Sequence, residues 1–258
     1  MIVVDNVSKY YGAHCAVADL SFEIREGECI GFLGLNGAGK STTLRLLSCL
    51  VLPTTGRIPG RGLDVGQSPH AIRKFIGYLP DTPPLYAEMT VSEYLAFAGR
   101  LRGLTGPDLQ KRFTRVLGVC QLENVANSPI SMLSHGYRQR VGIAQAIIHG
   151  PALLILDEPI QGLDPVQIVE MRKMIAELRG EHTILLSTHI LTEIERTCDR
   201  IMMMHNGRIA AEGTEDELAA RMRQSRLLEL EVRGEEHTLR TALAGIPEVT
   251  DLQLTKVA

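Results

Sequence analysis

The 258-residue chain predicts an α/β fold built around a mostly parallel sheet, on three observations. An apolar run, ECIGFLG (Glu28 to Gly34), passes into GLNGAGKST (Gly34 to Thr42) and then into TTLRLLSCL, whose apolar residues recur at helical spacing. Strand, glycine-rich loop and helix therefore follow one another. A second apolar run, ALLILDEP (Ala152 to Pro159), ends in two carboxylates, as expected of a central strand whose C-terminal end faces a ligand. A third, TILLSTH (Thr183 to His189), follows a helical pattern over 165 to 179 and ends in a histidine.

In chain order, Ile2 to Val7 reads as a strand, Tyr10-Tyr11-Gly12 as punctuation, and Leu20 to Arg25 as a second strand closed by Glu26-Gly27. An antiparallel region thus precedes the glycine-rich loop. Beyond the first helix, Pro53-Thr54-Thr55-Gly56 marks a turn, and Pro59, Gly60 and Gly62 place the next segment at a sheet edge. Ile76 to Pro80 is a short buried strand, with Asp81, Pro83 and Pro84 in the loop after it.

Residues 85 to 150 read mainly as helices, an insertion into the α/β pattern. Thr90 and Glu93 form a T-x-x-E capping box ahead of LAFAGRL, and Pro107 suits the first turn of a helix ending near Gly118. Ser134 caps another helix, which carries Val141, Ala144 and Ile148 on one face. Past the third buried run, Asp199 to His205 and Arg208 to Glu212 flank Asn206-Gly207, a strong hairpin signal. The methionines at 202 to 204 read as strand packing, and Thr214 with Glu217 opens a further helix. From residue 224, LLELEV, a helical stretch around Thr238 to Ala244, and VTDLQLTKV read as a β-α-β extension. The expected division is 1–223, with a helical part at about 85–150, and 224–258.

Composition narrows the function. A net charge of -3 with acids and bases mixed argues against a nucleic-acid groove as the main working surface. The five cysteines, at 15, 29, 49, 120 and 198, form no C-x-x-C pair and no metal-ligand spacing, which fits small apolar packing in a reduced, cytosolic setting. No signal segment stands out, and the apolar runs are far shorter than the ~20 residues of a membrane helix. Any membrane role is expected to come through another polypeptide.

The glycine-rich loop has the chemistry of a triphosphate cradle. Gly34, Gly37 and Gly39 allow backbone conformations in which successive N–H groups converge on a polyphosphate. Lys40 adds charge toward the β- and γ-phosphates, the Ser41 hydroxyl can ligate Mg²⁺, and the helix N-terminus favours anions. This much specifies a nucleoside triphosphate only, since kinases, GTPases and many ATPases share the loop. Asp157 can hold the Mg²⁺ shell through water, and Glu158 can polarise a water in line with the γ-phosphate. His189, at the end of the next parallel strand, can reach the same phosphate.

Together these motifs resemble the nucleotide-binding subunit of ABC transporters over about residues 1 to 215. By that resemblance Tyr11 takes the adenine-stacking position, and Asn36, Gly37, Ala38, Gly39, Lys40, Ser41 and Thr42 form the nucleotide-binding part of the Walker A loop. Asp81 takes the Q-loop position, LSHGY from Leu133 the signature, LLILDEP the Walker B strand, Gly162-Leu163-Asp164 the D-loop, and His189 the switch histidine. The wording GYLP and LS-x-GY-x-QR is most similar to the ABC-2 type, including gliding-motility and multidrug or polysaccharide export subunits. The implied fold is a P-loop NTPase (RecA-like) core with an antiparallel β subdomain, a helical signature subdomain and a short C-terminal β-α-β extension.

The resemblance further implies ATP hydrolysis with Mg²⁺, catalysed by Glu158 with His189 and Lys40, and a metal held by Ser41, Asp157 and, at the Q-loop position, Asp81. Two copies would pair head to tail, each ATP lying between Walker A of one copy and Ser134 and Gly136 of the other, with Asp164 among the nucleotide-binding residues. An integral membrane permease subunit would dock the pair at the cytoplasmic face of the cell membrane, with no direct nucleic-acid contact. Leu35 stands where the family has proline, His135 and Tyr137 replace Gly and Gln of LSGGQ, and Asp81 replaces Gln. An ionised carboxylate only accepts hydrogen bonds, so Asp81 can meet Mg²⁺ or its water but cannot donate. Two rival readings are a soluble ABC-type ATPase acting on ribosomes or DNA and a small-molecule kinase. Neither the second ATPase domain, coiled coils nor zinc modules of the former appear, and LSHGYRQR would have no purpose in the latter.

Overall fold

The computed structural model describes residues 1–194 and 197–224, together with 235, 238–240 and 243. Strands β1 (Ile2–Tyr11) and β2 (His14–Ile24) form a hairpin, and β3 (Cys29–Leu33) leads through the glycine-rich loop into α1 (Lys40–Leu47). Three short strands, β4 (Thr55–Arg57), β5 (Pro59–Gly60) and β6 (Leu63–Asp64), and helix α2 (Pro69–Arg73) precede β7 (Ile76–Leu79). Then come helices α3 (Val91–Leu101), α4 (Gly106–Val119) and α5 (His135–Ile147), strand β8 (Leu153–Asp157), helix α6 (Pro165–Leu178) and strand β9 (Thr183–Thr188). The hairpin β10 (Arg200–His205) and β11 (Arg208–Gly213) is followed by α7 (Glu215–Gln224).

The chain divides into units Met1–Ala219 and Ala220–Ala258. The β-α-β extension expected after residue 224 lies, apart from the few positions given, outside the described residues.

The main sheet runs β11-β10-β3-β9-β8-β7, with every neighbouring pair parallel except β10 and β11. In β8, Leu153 and Ile155 enter one apolar cluster while Leu154 and Leu156 enter the other. Such burial on both faces is what an unbroken apolar run encodes. One face meets α3, α5 and α6 through Leu95, Ile143 and Ile175. The other meets α1 and the antiparallel sheet through Leu44, Leu47, Val4 and Leu20. The Phe22 and Phe32 rings, 5.4 Å apart, join the two sheets.

The antiparallel sheet runs β2-β1-β5-β6, with β4 also on β1. Its hairpin is longer than expected. β1 continues to Tyr11, pairing with His14, and β2 begins at His14 rather than Leu20, so Tyr10 and Tyr11 belong to the strand and not to the turn. Register shifts at three places along β1 break the alternation that would have revealed this length. The segment at Pro59, expected at an edge, forms the two-residue β5 between β1 and β6.

Local signals hold. Thr90 and Glu93 form a reciprocal capping box on α3, and Thr214 and Glu217 exchange the same pair of bonds at 3.0 and 3.3 Å. Met202 and Met204 are buried in the sheet. No helix among the described residues is long and apolar enough to cross a membrane.

Helix α5 approaches β7 closely, and two glycines permit it. A Cβ on Gly77 would lie 2.9 Å from Pro151 Cγ and 3.0 Å from the Ala146 carbonyl carbon, and one on Gly142 would lie 2.9 Å from Pro83 Cγ. Gly77→Val is therefore expected to destabilise the protein by about 1–3 kcal/mol through overpacking against backbone. An unchanged urea midpoint for that variant would show that the helix has room to move away.

Candidate functional site

β3 is fully buried up to Leu33, and the chain then turns through Gly37 (φ +83°) and Gly39 (φ +102°) into α1. Gly39 is the N-cap of α1 and no side chain caps it, so the first-turn N–H groups face outward as anion donors. The loop rests on two other elements. A Cβ on Gly39 would stand 2.7 Å from the Ala16 carbonyl oxygen and 3.2 Å from Gly207 Cα, and the Gly207 amide donates to the Ala38 carbonyl at 2.9 Å. Gly207, which sequence marks only as a hairpin turn, thus buttresses the loop. Its signal is a left-handed glycine (φ +76°) with no room for a side chain.

Three parallel strand ends converge beside this loop. Lys40 Nζ donates to the Gly34 carbonyl at 2.6 Å and lies 3.3 Å from Glu158 Oε1, while Glu158 Oε2 lies 2.9 Å from His189 Nδ1. Lys40 and Glu158 are both buried. Glu158 has φ +48°, a left-handed conformation that an L-residue takes only when its surroundings fix it. Here Ser187 does so, its carbonyl and hydroxyl oxygens accepting from the Glu158 amide at 3.2 and 3.1 Å.

The Ser187 hydroxyl also donates to Asp157 Oδ1 at 2.6 Å, and the Ser41 hydroxyl lies 3.4 Å from the same oxygen. Burial holds the Asp157 carboxyl above the usual carboxylate range. The Asp81 and Glu158 carboxylates push the same way, against the hydroxyl bonds from Ser187 and Ser41. Sequence gives no hint of Ser187, because its contacts depend on how β8 and β9 pair.

A hydroxyl beside a carboxylate, next to outward-facing loop amides, is a hard-oxygen donor set that fits Mg²⁺ sharing phosphate oxygens and water. Among the described residues, no group of three or more His, Cys, Asp or Glu forms an all-protein metal cage. Asp81 is exposed, and its carbonyl accepts from Gln139 Nε2 at 3.1 Å.

The remaining expected residues lie apart from this cluster. Tyr11 ends β1 with an exposed ring, 5.2 Å from Lys9 Nζ. Ser134 Oγ accepts from the Tyr137 amide at 3.4 Å as the cap of α5. Asp164 caps α6, accepting from the Val166 and Gln167 amides at 3.0 Å. Among the described residues, no hydrogen bond joins Ser134, Gly136 or Asp164 to the glycine-rich loop.

A family model described as ABC transporter matches residues 17–161. The chain is 42% identical over 221 residues to the ABC transporter ATP-binding protein YxlF of Bacillus subtilis (strain 168), covering 84% of this chain and 72% of that one. It is 34% identical over 253 residues to the linearmycin resistance ATP-binding protein LnrL of the same strain, covering 98% and 81%. Among solved structures it is similar to the dimeric ATP-binding cassette MJ0796 in a post-hydrolysis state bound to ADP and Pi. There the TM-score is 0.76 at 26% identity, over 83% of this chain and 98% of that one.

Ser187 supports both carboxylate-bearing residues from a fully buried position. Ser187→Ala leaves the Asp157 carboxylate without its closest donor and is expected to cost about 1–3 kcal/mol of stability. Chemical denaturation checks this, and a midpoint equal to wild type would mean that Ser187 supports neither residue.

Proposed function

Because the chain belongs to the ABC transporter family, as an ATP-binding subunit of the ABC-2 export type, we propose that its Lys40–Glu158–His189 cluster is the hydrolytic centre of a head-to-tail homodimer. The protein is an ATP-binding and ATP-hydrolysing subunit that powers transport by a separate membrane subunit, and its cofactors are ATP and Mg²⁺. The observation that carries the assignment of residues is the convergence of Lys40, Glu158 and His189 at the ends of three parallel strands, with contacts of 3.3 and 2.9 Å.

In this reading the loop residues Asn36 to Thr42 and Lys40 Nζ bind the triphosphate of ATP, and Tyr11 stacks on its adenine. Ser41 and Asp157, with Asp81 at the Q-loop position, would hold Mg²⁺. Bound Mg²⁺ supplies charge neutralisation at the β- and γ-phosphate oxygens. Glu158 accepts a proton from the water that attacks the γ-phosphorus as the bond to the ADP oxygen breaks. His189, bonded to the second Glu158 oxygen, orients that carboxylate and stays close enough to meet the γ-phosphate.

Ser134, Gly136 and the N-terminus of α5 complete the site of the second copy, adding N–H donors where charge develops. Apolar exposure beside the assigned contacts supports this pairing: Leu35 in the loop is 75% exposed, Met132 before the signature 80% and Val166 after Asp164 68%. The ATPase domain takes residues 1–223, with its signature subdomain at about 85–150, and 224–258 form an appended extension. A permease subunit holds the pair at the cytoplasmic face of the membrane, docking near the Asp81 loop. Relatives that are transporter subunits leave a ribosome- or DNA-directed role without support.

Glu158→Gln is expected to keep ATP binding and lower turnover at least about a hundredfold, as loss of a general base does. Lys40→Ala is expected to weaken ATP binding itself. Steady-state hydrolysis and binding of a fluorescent ATP analogue separate the two, and near-normal hydrolysis by Glu158→Gln would remove it as the base. Asp81→Gln is expected to keep ATPase activity while changing its stimulation by the membrane subunit. A marked rise in the Mg²⁺ concentration needed for half-maximal rate would instead place Asp81 on the metal.

A further inference from the structure

We propose that His135 is a positioning residue for hydrolysis: in each copy it fastens the signature turn, which serves the nucleotide of the other copy, to the segment that follows Glu158. The proposal rests on the head-to-tail reading given above.

His135 Nε2 lies 3.0 Å from the Gln161 carbonyl oxygen. A carbonyl only accepts, so Nε2 carries the hydrogen and donates. Gln161 is itself one turn beyond the base, its amide donating to the Glu158 carbonyl at 3.1 Å. A second contact lies next to the first. A Cβ on Gly136 would stand 2.7 Å from Gln167 Cδ, so the Gln167 side chain packs directly on the signature backbone. Gln167 is fixed in turn by its amide bond to Asp164 at 3.0 Å. Two successive signature residues therefore touch the two ends of the stretch from Gln161 to Gln167.

The side-chain cap of this turn is long. The Ser134 hydroxyl accepts from the Tyr137 amide at only 3.4 Å, near the outer limit of a hydrogen bond. A glycine at 135, as in LSGGQ, could not reach the Gln161 carbonyl, so this strut belongs to chains with a donor side chain there. His135 is exposed, and its bond is not part of the core. Glu158 works on the ATP of its own copy while Ser134 and Gly136 work on that of the other. The bond therefore joins elements of the two catalytic sites.

The test uses the full chain and two replacements: His135→Met, which keeps length without an N–H, and His135→Gln, which returns a donor at similar reach. His135→Met is expected to lower kcat roughly two- to tenfold, the range a single net hydrogen bond supplies. Binding of a fluorescent ATP analogue to the separated chain and the thermal midpoint should both stay at wild-type values, and His135→Gln should recover at least half of the wild-type kcat. Full kcat in His135→Met overturns the proposal. So does an equal loss in the Met and Gln variants, or a loss of kcat matched by weaker nucleotide binding or a lowered midpoint. The dimer reading fails separately, if wild-type ATPase activity shows no dependence on chain concentration and ATP brings no two chains together.

Discussion

Parallel register is the constraint on which the site depends. Asp157 pairs with Ser187 and Leu33 with Thr188, so β8 and β9 end on one edge of the sheet together with β3, a strand far earlier in the sequence. The candidate site residues follow these ends: Lys40 beyond the glycine-rich loop, Glu158 directly after β8 and His189 directly after β9. A parallel sheet buries both faces and leaves only this edge to a ligand. The same register puts the Ser187 hydroxyl between the two acidic residues. The site is thereby built at strand ends, with the glycine-rich loop the one connection that carries Lys40 into it.

Electrostatics at that edge are costly by themselves. Lys40 and Glu158 form an ion pair with side chains only 5% and 10% exposed, and Asp157 is a carboxylate that burial drives toward its neutral form. Buried charges of this kind seldom add net stability over apolar packing, and a left-handed backbone at Glu158 adds strain. The fold carries these costs because hydrophobic burial on both faces of β3, β8 and β9 secures the strands independently. In the proposed reading, what the charges provide is a prepared field, with a cation, a proton acceptor and an oxygen ligand held before any substrate charge develops.

Legibility in the sequence followed the range of each interaction. β8 and β9 could be read because two-sided burial leaves an unbroken apolar run, and the caps at Thr90, Ser134 and Thr214 because their partners lie three residues away. The loop glycines were legible through their spacing with Lys40 and Ser41. The full length of β1 and β2 was hidden by register shifts that scramble the alternation. Ser187 and Gly207 were hidden for a different reason. Ser187 acts on a residue 29 positions away, and Gly207 supports Ala38 from across the sheet, so nothing local distinguishes them from a strand serine and a turn glycine. His135 stood out as a departure from the family wording, but its partner, Gln161, emerged only from the packing of α5 beside α6.

Helix α5 links these layers. It lies against β7 where Gly77 and Gly142 remove side-chain bulk, and Arg140 ties it to Gln121 at 2.5 Å and to Glu170 on α6. Gln139, 1% exposed, donates to the Asp81 carbonyl, while one turn earlier the same helix begins with Ser134 and His135. The Asp81 loop and the signature turn are thus both held by the first turns of one helix, from positions three to four residues apart on the same face. Over so short a distance the first turns of a helix move largely together, because the Ser134 carbonyl already accepts from the Arg138 amide at 3.0 Å. If a membrane subunit docks at the Asp81 loop as proposed, α5 and the His135–Gln161 bond give its push a route to Ser134 and to the turn after Glu158 that does not run through the glycine-rich loop.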